Sequence, residues 1–441
     1  MDYRQVFATT IDLAEQPQPL HIVGLQLAVM QGEAPHGCIA VVVESILPLQ
    51  EIMTYRSMTY DQELLMHAVL YCMTVILGLL LIRRIRPIPG TESCEPDVRV
   101  SVIIPARNEE KNLPRLLTSL KAQKYQPYEI IVVDDCSEDN TASIAEGFGV
   151  TLFRVGQKPE GWLGKSYACH LGASRASGEV FFFLDADCFF EPNGFALMVA
   201  AFKAGNGVLS AWPYHYTEKM YETLSFFFNS IITTNANRWP RKKNTDGVVL
   251  YGPAFLVSRK DYFSVGGHTS VKNEVLEDVV LGKAFLENGV PVRSLIGTGA
   301  ISFRMYPQGI GSLVSGWIKS FSKGAISIPA DSLAIMIIWI TGLTALSLNS
   351  LSLIIDSISR HSLAVLGAPD AFLIWVSYVA VWLELHFLAA KTGRFNGFLV
   401  CCFFIPLFFF HIVFLVSTLA RGVFKKVVWK GRVIDLRKKR N

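Results

Sequence analysis

The stretch GEVFFFLDADCFFEP, residues 178–192, decides the fold. Val180 to Leu184 is an apolar run suited to a strand buried on both faces. Asp185 and Asp187 follow at once. An ionised carboxylate buried without a partner costs several kcal/mol. The pair must therefore meet a cation or solvent where the strand ends. In open α/β sheets, ligands bind at the carboxyl ends of strands.

The neighbouring segments repeat this pattern. VRVSVIIPA (98–106), YEIIVVDD (128–135) and VTLFRVG (150–156) read as strands. Between them, KNLPRLLTSLKAQ (111–123) has helical spacing at Leu113, Leu116, Leu117 and Leu120. NTASIAEGFG and KSYACHLGASRASG are helices with glycine stops. Strands separated by single helices predict a doubly wound parallel α/β sheet. Asp134, Asp135, Asp185 and Asp187 then share one edge of it.

Composition adds a membrane. The 441 residues are 51% hydrophobic and only 18% charged, against about 25% charged in an ordinary soluble domain. The formal net charge of +4 is too small to argue nucleic-acid binding. The eight cysteines form no CxxC pair, so a zinc site or disulfide framework is not expected. Leu64 to Ile82 is long enough to span a bilayer. Arg83, Arg84 and Arg86 place its end in the cytoplasm. Residues 1–63 are expected to be an extension, with Met53, Met58 or Met66 as alternative starts. Residues 98–329 form a cytoplasmic domain, with interfacial helices near 309–325. Residues 333–420 form a membrane region of about three hydrophobic segments (333–355, 372–390, 398–420). Glu384 and His386 lie in the second. The tail, 421–441, is basic and expected to be cytoplasmic. Three crossings would put that tail outside, so one segment, around 326–358, is expected to lie in the interface or form a hairpin.

Two carboxylates at a strand end suit Mg²⁺ or Mn²⁺, which keep waters and bind substrate phosphates. Asp135 suits a nucleobase N–H or ribose hydroxyls. Ser137, Asp139 and Thr141 suit turn and cap chemistry. Pro105 closes the first strand, and Glu109 lies where a nucleotide would. Glu110 and Asn112 suit the helix start. No GxGxxG follows the first strand, which excludes a dehydrogenase.

SVIIPARNEE, VVDDCSEDNT and FLDADCFF, in this order, resemble the family 2 inverting glycosyltransferases of nucleotide-diphosphosugar (GT-A) fold. EGWLGKSYACHLGA, YGPAFLVSRKDYFSVGGH and FRMYPQGIGSLVSGWIKSFSKGA are similar to the bacterial 4,4′-diaponeurosporenoate glycosyltransferase group of carotenoid biosynthesis. The resemblance covers about residues 64–435. It implies a mixed GT-A sheet and a UDP-sugar donor, with UDP-glucose expected. Asp135 would hold uracil or ribose, Asp185 the ribose or metal, and Asp187 the metal on the diphosphate. Lys165 would sit near the sugar or phosphates. Gly252 would line the acceptor side. Asp278, in VLEDVVLG, takes the place of the catalytic base.

Processive members carry QxxRW, whereas the comparable stretch here is GWIKS, with Trp317 and Lys319. That departure argues against a polysaccharide synthase. The implied acceptor is a lipophilic C30 carotenoid acid dissolved in membrane lipid. Other carotenoid-pathway enzymes are implied as partners, and the cell membrane as location. Its carboxyl, with a pKa near about 4.3, is already ionised at neutral pH, so Asp278 would position rather than deprotonate. Phe226–Phe228 and GIGSLVSGWIKSF are expected to form an apolar channel to the site. Ceramide, sterol, diacylglycerol or polyprenyl phosphate are the alternative acceptors.

Overall fold

Strand β6 (Val180–Leu184) is buried along its whole length and lies near the centre of a seven-stranded sheet. Its side chains divide between the two faces, as a strand requires. Phe182 stacks on Phe195, with ring centroids 5.8 Å apart. Phe181 and Phe183 meet Tyr262 from the other face.

The computed structural model describes residues 26–29, 41–44, 49–90, 98–235, 250–274, 276–324, 330–359, 369–419, 426–429 and 432–435. The chain divides into two compact units, Met1–Leu70 and Tyr71–Asn441. In the first, β1 (Gln26–Val29) and β2 (Val41–Glu44) form an antiparallel ribbon. Helix α1 (Leu49–Ile82) begins there and ends in the second unit. It thus starts well before the expected span, and Gln62–Ile82 is its membrane-length part. The rest of the expected extension lies largely outside the described residues.

The second unit follows the expected alternation. Its elements are β3 (Val100–Ala106), α2 (Leu113–Lys121), β4 (Glu129–Asp134), α3 (Thr141–Gly147), β5 (Thr151–Arg154), α4 (Gly164–Arg175) and β6. There follow β7 (Cys188–Phe190), α5 (Gly194–Lys203), β8 (Val208–Trp212), β9 (Tyr214–Tyr216), a 3₁₀ turn (Met220–Ser225) and α6 (Phe226–Asn235). β10 (Ala254–Ser258), α7 (Arg259–Ser264), a 3₁₀ turn (Gly267–Val271), α8 (Glu277–Glu287), β11 (Val292–Ile296) and β12 (Ile301–Phe303) complete the domain. The order across the large sheet is β11-β8-β10-β6-β3-β4-β5. β10 runs antiparallel to both its neighbours. The sheet is therefore mixed, not the all-parallel sheet that strand–helix alternation alone predicts. The long excursion between β8 and β10 replaces a single crossover helix and lets β10 enter reversed.

Helix α4 sits close to the sheet because Gly172 faces it. A Cβ there would lie 2.5 Å from Ile103 Cγ2. This approach brings the start of α4, with Lys165, to the carboxyl end of β6.

After β12 come α9 (Ile310–Gly324), α10 (Ala330–Ser359) and α11 (Pro369–Thr392). β13 (Gly393–Arg394), α12 (Gly397–Cys401), α13 (Phe404–Leu419) and the hairpin β14 (Lys426–Trp429) and β15 (Arg432–Asp435) follow. Among the described residues, three helices are long and apolar enough to cross a membrane: Gln62–Ile82, Ser332–Ser359 and Pro369–Thr392. Two expectations change. From Ala330 onward the stretch expected to be interfacial or a hairpin is one long helix, not a hairpin. The run 398–420 is broken at Cys402–Phe403, leaving a helix of 16 residues. Hydropathy sees one apolar run there, because a turn between α12 and α13 built of Cys and Phe leaves no polar mark. Glu384 is buried within α11, where it packs against Gly78 and Trp339.

Candidate active site

The loops after β3 and β4 are knitted together at the sheet edge. Asn108 and Cys136 adopt left-handed backbone, at φ 53° and 55°. That conformation is unusual outside glycine, with asparagine among the more tolerant residues. Asn108 N–H donates to Ser137 Oγ (2.9 Å), and Glu138 N–H returns to Asn108 Oδ1 (2.8 Å). Glu109 N–H donates to Thr141 Oγ1, and Glu110 N–H to Asp139 Oδ2. Ser137, Asp139 and Thr141 thus tie one strand end to the next, besides Asp139 accepting from Thr141 N–H. Glu109 also accepts from Asn112 Nδ2 at 2.7 Å. Pro105 pairs with Val133 in the β3–β4 ladder, one residue from this edge.

Asp135 is buried at the end of β4. Its backbone N–H donates to Ala106 O (2.8 Å). Arg107 donates to Asp135 O (3.0 Å) and lies 3.8 Å from its carboxylate. A cation and a carboxylate thus share the strand end where a nucleoside is expected. Arg107 escapes a sequence reading because a lone arginine in a loop carries no local pattern.

Beyond β6, Lys165 gathers three carboxylates. It lies 2.9 Å from Asp185, 3.5 Å from Glu277 and 3.8 Å from Asp278. Desolvation alone would lower the lysine pKa. Attraction from Asp185, Asp278 and Glu277 outweighs it and raises the pKa well above the ordinary lysine value. Desolvation pushes Asp278 the other way, well above the usual carboxylate range, against the pull of Lys165. Its Oδ1 is buried with no hydrogen bond. Lys319, from α9, also favours the charged form of Asp278.

Gly252 supplies the space for this carboxylate, since a Cβ there would lie 1.7 Å from Asp278 Oδ2. Pro253 O accepts from Asp185 N–H (2.9 Å), fixing the Gly252 segment along the end of β6. Asp187 turns away from β6, and its carbonyl accepts from Arg304 N–H at 3.2 Å. Tyr306 is buried nearby. Burial, then the Asp187 charge, push its phenol above the usual range.

The donor set fits a divalent cation held jointly with a ligand. Asp185 and Asp187 are two oxygen donors on one turn, and the cluster holds more carboxylates than cations. Among the described residues, no three His, Cys, Asp or Glu side chains converge as a cage of their own. A hard cation bound here would take its remaining oxygens from phosphate and water, as Mg²⁺ and Mn²⁺ do.

The expected residues separate into two groups. Lys165, Asp185, Gly252, Asp278 and Lys319 come together, and Asp187 lies on the adjoining turn. Trp317 does not join them at the surface. It is buried, stacks on Phe228 at 4.8 Å and donates to Ser225 Oγ at 3.0 Å. Phe226, Phe227 and Phe228 are likewise fully buried. They form a packed aromatic wall here, not an open channel. Glu277 was missed because a Glu–Asp pair at a helix start reads as ordinary dipole chemistry.

Residues 101–262 match the sequence model of the family described as Glycosyl transferase family 2. The chain is 34% identical over 347 residues to 4,4′-diaponeurosporenoate glycosyltransferase of Staphylococcus haemolyticus (strain JCSC1435), covering 77% of this chain and 89% of the relative. Identity to the protein of that name from Staphylococcus aureus (strain MRSA252) is 31%, with the same coverage. Among solved structures it is similar to mannosyltransferase PcManGT from Pyrobaculum calidifontis in complex with GDP-Man and Mn²⁺. That likeness has a TM-score of 0.45 and 18% identity, covering 80% of this chain and 99% of the other.

Proposed function

We propose, because the chain belongs to glycosyl transferase family 2 and is a glycosyltransferase of carotenoid biosynthesis, that it moves glucose from UDP-glucose to a C30 carotenoid acid. The acceptor is 4,4′-diaponeurosporenoate, and the product is a glucosyl ester. The observation that carries the reading is the convergence of Lys165, Asp185 and Asp278 beside Asp187 at the sheet edge. The relatives' names supply the acceptor.

In an inverting transfer, the acceptor oxygen bonds to the anomeric carbon as the bond to the UDP oxygen breaks. The bonding pair leaves with the diphosphate. Asp135 and Arg107 face the nucleoside, and Asp185 and Asp187 would hold Mg²⁺ or Mn²⁺. The bound cation supplies charge stabilisation for the departing diphosphate. Lys165 adds a fixed positive charge beside the sugar. A carboxylate acceptor brings another negative charge into an acidic site. Lys165 and Lys319 offset that charge. The catalytic domain is on the cytoplasmic side of the cell membrane, where UDP-glucose is dissolved.

A second reading is transfer to the hydroxyl of another lipid. The raised Asp278 favours it, because a carboxyl tuned toward neutrality suits a general base. Asp187→Asn and Asp278→Asn separate the two. With a carboxylate acceptor, Asp278→Asn retains far more activity than Asp187→Asn. With a hydroxyl acceptor, both lose several orders of magnitude. The deciding measurement is product mass spectrometry from a carotenoid-producing host with and without this gene. A gain of one hexose on an apocarotenoid acid, released by mild base, fits the ester. A base-stable product or an unchanged carotenoid profile would overturn it.

A further inference from the structure

Helix α13 (Phe404–Leu419) has 16 residues. At about 1.5 Å per residue it is roughly 24 Å long, short of the ~30 Å hydrocarbon core. The chain leading into it is fixed to the catalytic domain. β13 pairs in parallel with His215 and Tyr216. Thr298 Oγ1 donates to Lys391 O (2.6 Å), and Asn396 N–H donates to Thr223 Oγ1 (3.0 Å). The chain leaving α11 is therefore on the catalytic side.

From there α13 folds back onto that domain. Phe410 meets Phe228 and Phe321, with centroids 5.0 and 6.1 Å away. Ser417 Oγ donates to Ile318 O at 3.2 Å. The opposite face carries an apolar stripe at helical spacing: Ile405, Ile412, Leu415 and Leu419. Ile412 and Leu415 are 62% and 60% exposed. Directly after it comes RGVFKKVVWKGRVIDLRKKRN, residues 421–441, whose only acidic residue is Asp435.

We propose that α12 and α13 dip into the membrane from the catalytic side and return to it without crossing: Tyr378 Oη, well inside α11, donates to Cys401 O (2.7 Å) and Thr344, mid-way along α10, meets His411 Nε2 (3.3 Å), whereas Ser417 is back on α9. The stripe sits among acyl chains, and the basic tail lies on anionic headgroups. Two observations select the lipid surface as occupant. A tail this basic is attracted to an anionic leaflet. The charge balance also closes: α1 ends on the catalytic side at Arg83, Arg84 and Arg86. α10 and α11 then leave and return, so the tail stays on that side, as positive-inside requires. A third crossing would strand the tail beyond the membrane.

The arrangement places α9 directly beneath the dipping helix. α9 carries Phe321 toward α13 and Lys319 toward Asp278. α9 then lies between the dipping helix and the charge cluster, on the side from which a membrane-dissolved acceptor would approach. That last consequence rests on the sugar-transfer reading, whereas the docking does not.

The test uses the full chain and reads no activity, so failure of the proposed function leaves it intact. All Cys variants are made in a background whose eight native cysteines are replaced by alanine. Nitroxides are placed at Ile405→Cys, Ile412→Cys and Leu419→Cys in protein reconstituted in phosphatidylglycerol-containing vesicles. Oxygen and nickel-chelate collision rates should put 405 deepest and 419 shallowest, with depth falling along the helix toward the catalytic side. A deepest value at 412, with both ends near opposite surfaces, would overturn the proposal. As a second arm, Asn441→Cys in spheroplasts should react with an impermeant maleimide only after permeabilisation, as Glu146→Cys does in the catalytic domain. Labelling of Asn441→Cys in intact spheroplasts, with Glu146→Cys protected, would equally overturn it.

Discussion

Gly252 lacks a side chain where Asp278 needs the room. An added Cβ would lie 1.7 Å from Asp278 Oδ2, and only the carboxylate can yield. Gly252→Ala should therefore displace Asp278 while leaving the sheet intact. A misplacement of about 1 Å in an active site can cost about 10²-fold. The expected result is a loss of that order in kcat/KM, with a thermal midpoint close to that of the wild type. Near-normal turnover would show that Asp278 has no strict position to keep. Gly252, expected on the acceptor side, is in the structure the immediate neighbour of Asp278. Asp135, Asp185 and Asp187 were legible because each follows an apolar strand, and a buried strand cannot end on carboxylates without a reason. Glu277 and Arg107 were not. Their partners lie elsewhere in the chain, Lys165 at the start of α4 and Asp135 at the end of β4, and only the closed sheet brings them near.

At the scale of elements, two histidines are folded away in their neutral forms. His268, in the turn after α7, pairs with Tyr262 Oη at 2.9 Å and lies against Phe183. Burial lowers its pKa to about 3, with Lys165 and His170 adding to the shift. His215, in β9, is lowered by burial to about 4. Unfolded histidine titrates near about 6.5. Below that pH the unfolded chain takes up protons that the folded chain refuses, so stability is full above 6.5 and falls as pH drops toward the folded values. At ~1.36 kcal/mol per unit, the loss approaches roughly 3–5 kcal/mol for each ring. The thermal midpoint should fall steeply between pH 6.5 and 4.5. His268→Gln should start lower and fall less steeply. An unchanged slope in that variant would mean that His268 is not a source of the acid sensitivity.

The same scale shows where sequence patterns stop. β3, β4 and β6 carry their identity in apolar runs. β10 is equally apolar, and nothing within it records that it enters the sheet reversed. β13 has only two residues, and its pairing with β9 joins segments far apart in the chain. A strand that short has no period to detect.

Within Tyr71–Asn441, the catalytic sheet is tied to the apolar helices at both ends. After α1, Ile88 N–H donates to Ile296 O (3.0 Å), so the chain leaving that apolar helix runs along the edge strand β11. At the other end, α11 runs into β13. The helices in turn meet one another at two small residues. Gly342 of α10 faces Thr74 of α1, where a Cβ would lie 1.7 Å from Thr74 Oγ1. Gly78 of α1 faces α11 and α10, where a Cβ would lie 1.4 Å from Glu384 Oε1 and 2.7 Å from Trp339 Nε1. Small residues at such crossings let helix backbones approach, which is what holds apolar helices together in lipid. Gly78→Leu should therefore force α1 and α11 apart, at the ~1–3 kcal/mol typical of overpacking. It should lower the unfolding midpoint of the detergent-solubilised protein. Removing the obstructing side chain should relieve the clash, so the double variant Gly78→Leu, Glu384→Ala should lose less than the sum of its single changes. The coupling is the diagnostic quantity, because contacting residues depart from additivity and distant ones do not. Strict additivity would mean that Gly78 and Glu384 are not in contact in the assembled helices. A loss smaller than the sum would place a buried glutamate where the three long apolar helices meet.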